Sequence, residues 1–332
     1  MNRAEGAIRE KAAQLLAEGK VDLVIGFTRG TLPMRATPCF IRKAEDAQRL
    51  VWDASCANNL AVYLPACFVV DPRAKQPPPL PKVAVVAKGC DGRSVVGLIK
   101  EKQVPRENLI LIAVPCTGVI DAAGVARSVQ PDEIIAAEEN DGMLLIKSDA
   151  GTTRKLKRTE ALAEACRLCT HRTASVYDIA VGEPPETECV AASDDRFRQF
   201  TSKPGSERWK LFCREVSKCT LCKACRSACP NCYCKTCFAD QTRPNWAGTG
   251  DQLRDVMLFH LGRIFHQAGR CVDCGACVRA CNMGVDLRMF TYKLVADAKE
   301  LFDCTAGVDL EQPPPLAAFS AGDPERFITE PE

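Results

Sequence analysis

Cys219, Cys222, Cys225 and Cys229 follow the spacing C-x2-C-x2-C-x3-C, with Pro230 directly behind them. The same spacing returns as Cys271, Cys274, Cys277 and Cys281, this time followed by Asn282. A cubane iron–sulfur cluster needs four thiolates arriving from different directions. The C-x2-C-x2-C loop supplies three to one cluster, and the trailing cysteine reaches the other. The spacing therefore predicts two [4Fe-4S] clusters bound crosswise. Cys219, Cys222 and Cys225 join Cys281 at one, and Cys271, Cys274 and Cys277 join Cys229 at the other. Structural zinc also uses C-x2-C pairs, but needs two pairs rather than two triplets with a trailing cysteine.

The background composition agrees with this chemistry. The chain has 332 residues, 46% of them hydrophobic, and its 21 cysteines are far more than ordinary usage. The first twenty residues are charged and amphipathic, without an apolar signal region. No apolar run reaches the length of a membrane span. The thiols are therefore expected in a reducing cytoplasm, where dense cysteine points to metal. The formal charge of +2 takes the thiols as neutral. Each loaded cluster brings about two negative charges, so the loaded protein is expected to be mildly acidic. No basic stripe marks a nucleic-acid surface.

The elements that must position these residues fall into two groups. Residues 3–18 read as a helix, 21–27 as a buried strand, 43–50 as a helix and 60–64 as a strand. A proline-rich loop covers 72–81. Two apolar strands, 83–87 and 109–114, flank a helix at 94–102. Each strand runs into a cysteine loop, at Cys90 and Cys116. This is an α/β pattern, with both cysteines beyond the carboxyl ends of strands, where open α/β sheets gather their functional groups. A helix at 159–168 leads into Cys166-x2-Cys169. The predicted organisation is an α/β domain over 1–187, a linker over 188–205, an α-helical dicluster ferredoxin domain over 206–305 and a proline-rich tail over 306–332. The ferredoxin domain's helices present Leu253, Val256, Met257, Leu261 and Ile264 on one face, and Leu287, Phe290, Leu294 and Leu301 on another. The tail, with Pro313–Pro315 and Phe319, is either disordered or a docking segment.

Other residues carry less. Cys232, Cys234 and Cys237 are surplus to the two clusters. They either join Cys213 at an additional metal site or form a loop beside a cluster. His260 falls on an apolar helix face and reads as a packed or cluster-adjacent histidine. His266 and Arg270 flank the second run and are placed to tune a cluster. Cys39, Cys67, Cys189 and Cys304 have no spacing signal. No acid–base or nucleophilic constellation can be read from the chain, so no catalytic residue is assigned.

Residues 10–185 resemble the beta-subunit family of coenzyme F420-reducing hydrogenases and formate dehydrogenases. The resemblance rests on Gly89-Cys90, Pro115-Cys116, Cys166-x2-Cys169 and the string Asp178-Ile179-Ala180-Val181-Gly182. It implies a third [4Fe-4S] cluster on Cys90, Cys116, Cys166 and Cys169, with Cys56 as a competing ligand. The bland reading of Cys90 and Cys116 is small buried residues in strand-end loops. The C-terminal part is similar to proteins that accompany heterodisulfide-reductase-type complexes, through the cysteines of 229–234 and the stretch 242–246. The family's flavin-bearing segment reads as replaced by the linker and ferredoxin domain. No glycine-rich dinucleotide fingerprint is present. Both points argue against bound FAD. Two functions follow. One is an electron-transfer subunit in an anaerobic redox complex, beside flavin- or iron–sulfur-bearing partners of a heterodisulfide-reductase-like enzyme, hydrogenase or formate dehydrogenase. The other is a flavin-dependent oxidoreductase exchanging hydride with a deazaflavin or similar carrier.

Overall fold

The computed structural model describes residues 3–70, 73, 75, 76, 78–183, 195–248, 250 and 252–315. Cys189 and Phe319 lie outside the described residues.

The N-terminal part is built on a five-stranded sheet whose strands lie in the order 36–41, 23–29, 83–87, 109–113 and 179–180. Helix α1 (Arg3–Ala17) precedes β1 (Leu23–Arg29) and β2 (Ala36–Ile41), which pair antiparallel. The short helix α2 (Leu64–Cys67) leads on to β3 (Val83–Ala87), α3 (Gly89–Lys100) and β4 (Leu109–Ala113). β1, β3 and β4 run parallel, with Val83 opposite Leu23 on one side and Leu109 on the other. All five residues of β3 are buried, so both faces of the sheet centre are covered, as parallel strands with continuous apolar sequence require. Ile8, Ala12 and Leu15 of α1 and Val95 and Leu98 of α3 belong to that core.

Beyond helix α4 (Ala122–Val129), strands β5 (Ile134–Asn140), β6 (Met143–Ser148) and β7 (Thr153–Lys157) form a separate antiparallel meander. Leu144 and Ile146 of β6 join Val125 and Val129 of α4 in its own small core. Two single turns follow, α5 (Arg158–Ala161) and α6 (Glu164–Arg167). The chain then re-enters the main sheet as β8 (Ile179–Ala180), parallel to β4. Asp178 secures that return, accepting from Leu111 N at 2.7 Å and pairing with Arg106 at 2.6 Å.

The described residues after 194 are helices and loops: α7 (Asp195–Thr201), α8 (Gly205–Val216), α9 (Ala224–Ser227), α10 (Leu253–Phe265), α11 (Ala276–Arg279) and α12 (Arg288–Phe302). Phe290 of α12 takes Phe200 and Phe212 edge-on, with ring centroids 5.6 and 5.3 Å away, a favoured aromatic arrangement.

Several expectations change. Residues 60–64 are not a strand. Leu60–Tyr63 is a 3-10 turn whose Asn59 side chain accepts from Ala61 N, and α2 follows with Pro65 in its first turn. Asn at the cap and Pro at the helix start override the apolar run. The helix expected at 159–168 breaks into α5 and α6. The helix expected at 94–102 begins at Gly89, which moves Cys90 from a loop into a first helical turn. The stretch expected as a linker is helical from Asp195 onward, with Phe200 buried.

The start of the tail docks on its own chain. Arg93 Nε donates to Ala306 O at 2.8 Å, and Ser175 Oγ to Val308 O at 3.0 Å. Gly307, at φ 75°, lies so close that a Cβ there would sit 2.0 Å from Arg93 O. Only glycine tolerates both the conformation and the approach. Arg93 Nη1 also reaches Val272 O at 3.2 Å, and Arg279 Nη2 reaches Ala57 O at 2.8 Å. Arg270 Nη2 bonds Glu101 at 2.7 Å and Tyr233 Oη at 3.0 Å. The two parts of the chain are therefore clamped together around the second cysteine run.

Candidate metal centre

The two cysteine runs fold alike. In the first, Leu221 and Lys223 take left-handed φ values of 53° and 61°; in the second, Asp273 and Gly275 take 53° and 67°. Left-handed backbone is uncommon for a residue with a side chain. Here it bends the loop so that an amide faces the sulfur. Leu221 N approaches Cys219 Sγ at 3.3 Å, and Asp273 N approaches Cys271 Sγ at 3.4 Å. Each loop then enters a single turn, α9 or α11, which carries the fourth cysteine away from the first three. Val285 N lies 3.3 Å from Cys281 Sγ. Amides aimed at sulfur favour thiolate over thiol.

Cysteines of the two runs come close to one another. One cavity is lined by Cys229 together with Cys271, Cys274 and Cys277. Cys219, Cys225 and Cys281 pack around Val285 and Leu287, with Cys277 of the second run in the same cluster. After burial and the Leu221 amide, the charges of Cys281 and Cys222 are the influences on the Cys219 thiol. Burial pushes the Cys225 thiol up to about 11 and raises Cys271 and Cys274 as well. Such thiols give up their protons only to a strong positive partner, which a metal centre provides.

Among the described residues, no three Cys, His, Asp or Glu side chains converge on one ion. Zinc would need that, with each sulfur at about 2.3 Å. A cubane puts each thiolate on a different iron, so its four sulfurs stay apart. Cysteine thiols are the donor type that a cubane cluster takes.

The N-terminal cysteines also approach one another. Cys90 stands in the first turn of α3, and Cys116 follows β4. A Cβ on Gly118 would lie 3.3 Å from Cys166 Cβ, and Gly118 N points at Cys116 Sγ from 3.4 Å. Burial raises Cys90, Cys116 and Cys169, and Cys116 and Cys169 each feel the charge of Cys166. Cys90 feels both Cys116 and Cys274, so this group adjoins the second run. Cys56 is buried near Cys116, and burial pushes it to about 12. Cys56 and Cys116 both line a cavity of about 840 Å3 with Trp52, Lys88, Gly118 and Arg158. The cavity opens beyond the carboxyl ends of β3, β4 and β8.

Cys232, Cys234 and Cys237 share a smaller cavity with Arg263 and Arg270. Cys213 does not line it; its side chain packs beside Phe212 and Val216. The Cys232 thiol is held low by its hydrogen bond with Cys229 and by the charges of Arg263 and Arg270. Arg270 is committed to Glu101 and Tyr233, and His266 lies edge-on to Phe238 at 5.4 Å. The charge of Arg270 still reaches Cys229 and Cys232.

Three residues at these sites belong to no sequence motif. Lys88 is buried, 2.8 Å from Asp91 and 4.5 Å from the centre of the Phe27 ring. Burial alone would lower its pKa, but Asp91 and then the thiols Cys90 and Cys116 raise it above the ordinary lysine value. Arg263 lies on the buried side of α10, and Gln267 is buried two residues past its end. Gln267 Oε1 accepts from Asn231 Nδ2 at 3.0 Å, beside Cys229. The one sequence signal of Arg263 and Gln267 is polarity within a helical apolar stripe, one and two turns after His260.

His260 is 1% exposed, and neither ring nitrogen has a hydrogen-bond partner. Burial first, and then Arg263, pushes it from 6.5 to about 4. The unfolded chain takes up this proton near pH 6.5, whereas the folded one waits until about 4. His260 therefore leaves stability intact above about 6.5 and removes it as pH falls toward 4. We expect a loss on the order of 3 kcal/mol over that window, absent from His260→Phe. Urea midpoints against pH for both proteins check this; parallel curves would refute it.

Residues 80–210 match the family model for the C-terminal part of the coenzyme F420 hydrogenase/dehydrogenase beta subunit. The chain is a relative of these beta subunits. Cys90, Cys116, Cys166 and Cys169 all fall within the matched segment. The F420-dependent formate dehydrogenase subunit beta of Methanocaldococcus jannaschii is 21% identical, over 95% of this chain and 95% of its own. The F420-dependent formate dehydrogenase 1 subunit beta of Methanococcus maripaludis is 22% identical, over 94% of this chain and 92% of its own. The likeness to the beta subunits thus continues past residue 187 and through the doubled cysteine run. A chain of the xenon-derivatized F420-reducing [NiFe] hydrogenase complex from Methanosarcina barkeri aligns with a TM-score of 0.35 and 15% identity, over 50% of this chain and 59% of that one.

Proposed function

We propose that this chain is an iron–sulfur subunit that relays single electrons inside a larger redox complex. The observation that carries this reading is the crossing: Cys229 lines the cavity of Cys271, Cys274 and Cys277, while Cys281 packs with Cys219 and Cys225. Bound clusters supply one-electron storage. The chain's part is to hold eight thiolates apart in two sets, aim amides at their sulfurs and surround them with apolar side chains. The helical C-terminal part then acts as a dicluster ferredoxin domain. Cys90, Cys116, Cys166 and Cys169 form a third set, adjoining the second through Cys90 and Cys274. Cys222 is the exposed member of the first set, which favours that set as the one facing a partner. The relatives are named as subunits of F420-dependent formate dehydrogenases, and a subunit of a comparable assembly is the role proposed here. Among the described residues no helix is long and apolar enough to cross a membrane.

The 840 Å3 cavity supports a second reading, hydride exchange through a flavin. It lies at strand ends beside Cys116, with the cations Lys88 and Arg158 and the ring of Trp52 in its wall. The expected absence of FAD is therefore worth measuring directly. Anaerobic reconstitution of the full chain is expected to yield about eight iron and eight sulfide, rising to about twelve of each with the third set loaded. Flavin released on denaturation separates the readings: a stoichiometric amount favours the second, and none favours the first. Zinc without labile sulfide would end both.

A further inference from the structure

Arg263 is 4% exposed and sits on the buried side of α10. Its Nη2 donates to Cys225 O at 2.8 Å, which ties it to the first cysteine run. The same side chain lines the cavity of Cys229, Cys271, Cys274 and Cys277, the second set. Its Nε and Nη1 are buried without a hydrogen-bond partner. Among the described residues no carboxylate pairs with it. The two nearby arginines are already neutralised, Arg288 by Asp273 at 2.8 Å and Arg270 by Glu101 at 2.7 Å. The groups able to offset Arg263 are the thiols of Cys277 in the second run, Cys225 and Cys229 in the first, and Cys232 just beyond it. A buried guanidinium without an anion is strongly unfavourable, so this one calls for negative charge beside it, and the cysteines of both sets are what stands there.

We infer that Arg263 is a counter-charge shared by the two four-cysteine sites, raising the reduction potential of the cluster bound at each. This rests on the iron–sulfur reading above. One added electron makes a site more negative by one charge. A fixed cation in a water-poor interior stabilises the reduced form more than the oxidised form, and does so with little screening. Because the side chain touches both sets, its removal must be felt at both.

The test uses the full chain, reconstituted anaerobically, with midpoint potentials from redox titration followed by paramagnetic resonance and with iron and sulfide counted on the same samples. Arg263→Gln keeps donors but removes the charge. Its two potentials are expected to fall, each by at least tenfold in the one-electron reduction equilibrium, about 59 mV, at wild-type iron and sulfide. Arg263→Lys restores the charge and is expected to return both potentials toward wild type. A fully loaded Gln variant with unchanged potentials, or with only one displaced, overturns the inference. If the Gln variant cannot be loaded, the Lys variant decides. Loading with near wild-type potentials supports the shared charge; failure to load shows a scaffold donor instead. If wild type itself takes up no iron and sulfide, the cluster reading has failed, before any Arg263 variant is measured.

Discussion

Cys229→Ala is expected to erase the cluster associated with Cys271, Cys274 and Cys277 and to leave the one associated with its own run. Iron should fall by about four per chain, and one of the two reduced-cluster signals should disappear from the paramagnetic spectrum. The reason is geometric. Cys229 N bonds Arg226 O at 3.1 Å, closing the turn that carries its side chain away from Cys219, Cys222 and Cys225. The cavity it reaches belongs to the other run. Cys281 closes its own turn in the same way, on Val278 O at 3.1 Å, and ends beside Cys219 and Cys225. Cys281→Ala should therefore erase the reciprocal signal. Comparing the spectra of the two single variants with Cys222→Ala and Cys274→Ala assigns them. The crossing is wrong if Cys229→Ala matches Cys222→Ala rather than Cys274→Ala.

Lys88→Met is expected to destabilise the N-terminal part by about 3–5 kcal/mol, the usual cost of stripping one partner from a buried ion pair. Asp91 is 0% exposed, and besides Lys88 it accepts from Leu60 N at 3.2 Å and from Lys88 N at 3.0 Å. Those amides remain in the variant, but they carry no net charge to offset the carboxylate. Lys88→Met with Asp91→Leu should recover part of the loss, since both charges then leave together. Lys20→Met offers the contrast. Its partner Glu18 is 2.7 Å away, but the two side chains are 60% and 40% exposed, and a change within about 0.5 kcal/mol is expected. Denaturant midpoints of the four proteins check the order. A Lys88 variant no weaker than the Lys20 variant would show that the pair contributes nothing to stability.

What the sequence alone could determine was chemistry carried by local spacing. The doubled C-x2-C-x2-C-x3-C run, the apolar strands before Cys90 and Cys116, and the similarity to F420-linked beta subunits were all legible, because each depends on neighbours within a few residues or on order along the chain. Even the left-handed turn at Gly275 had its signal in the residue type, although its counterpart at Lys223 did not. The antiparallel strand β2 is not legible because Pro38 interrupts it and Phe40 faces outward, and the meander of β5–β7 because its exposed polar residues dilute the alternation that marks a strand. Leu60–Leu64 was misread because apolar runs look alike in strands and buried turns, and the Asn59 cap and Pro65 decide between them. Only the tertiary structure decided which distant groups meet. It set Lys88 against Asp91 under two aromatic rings, returned residues 306–309 onto Arg93, and placed Arg263 between two cysteine sets that are separated along the chain. A charged residue on a helix gives no local sign that its face is the buried one. That depends on what the rest of the chain packs against it, and here the packing brings cysteines from both runs to the same guanidinium.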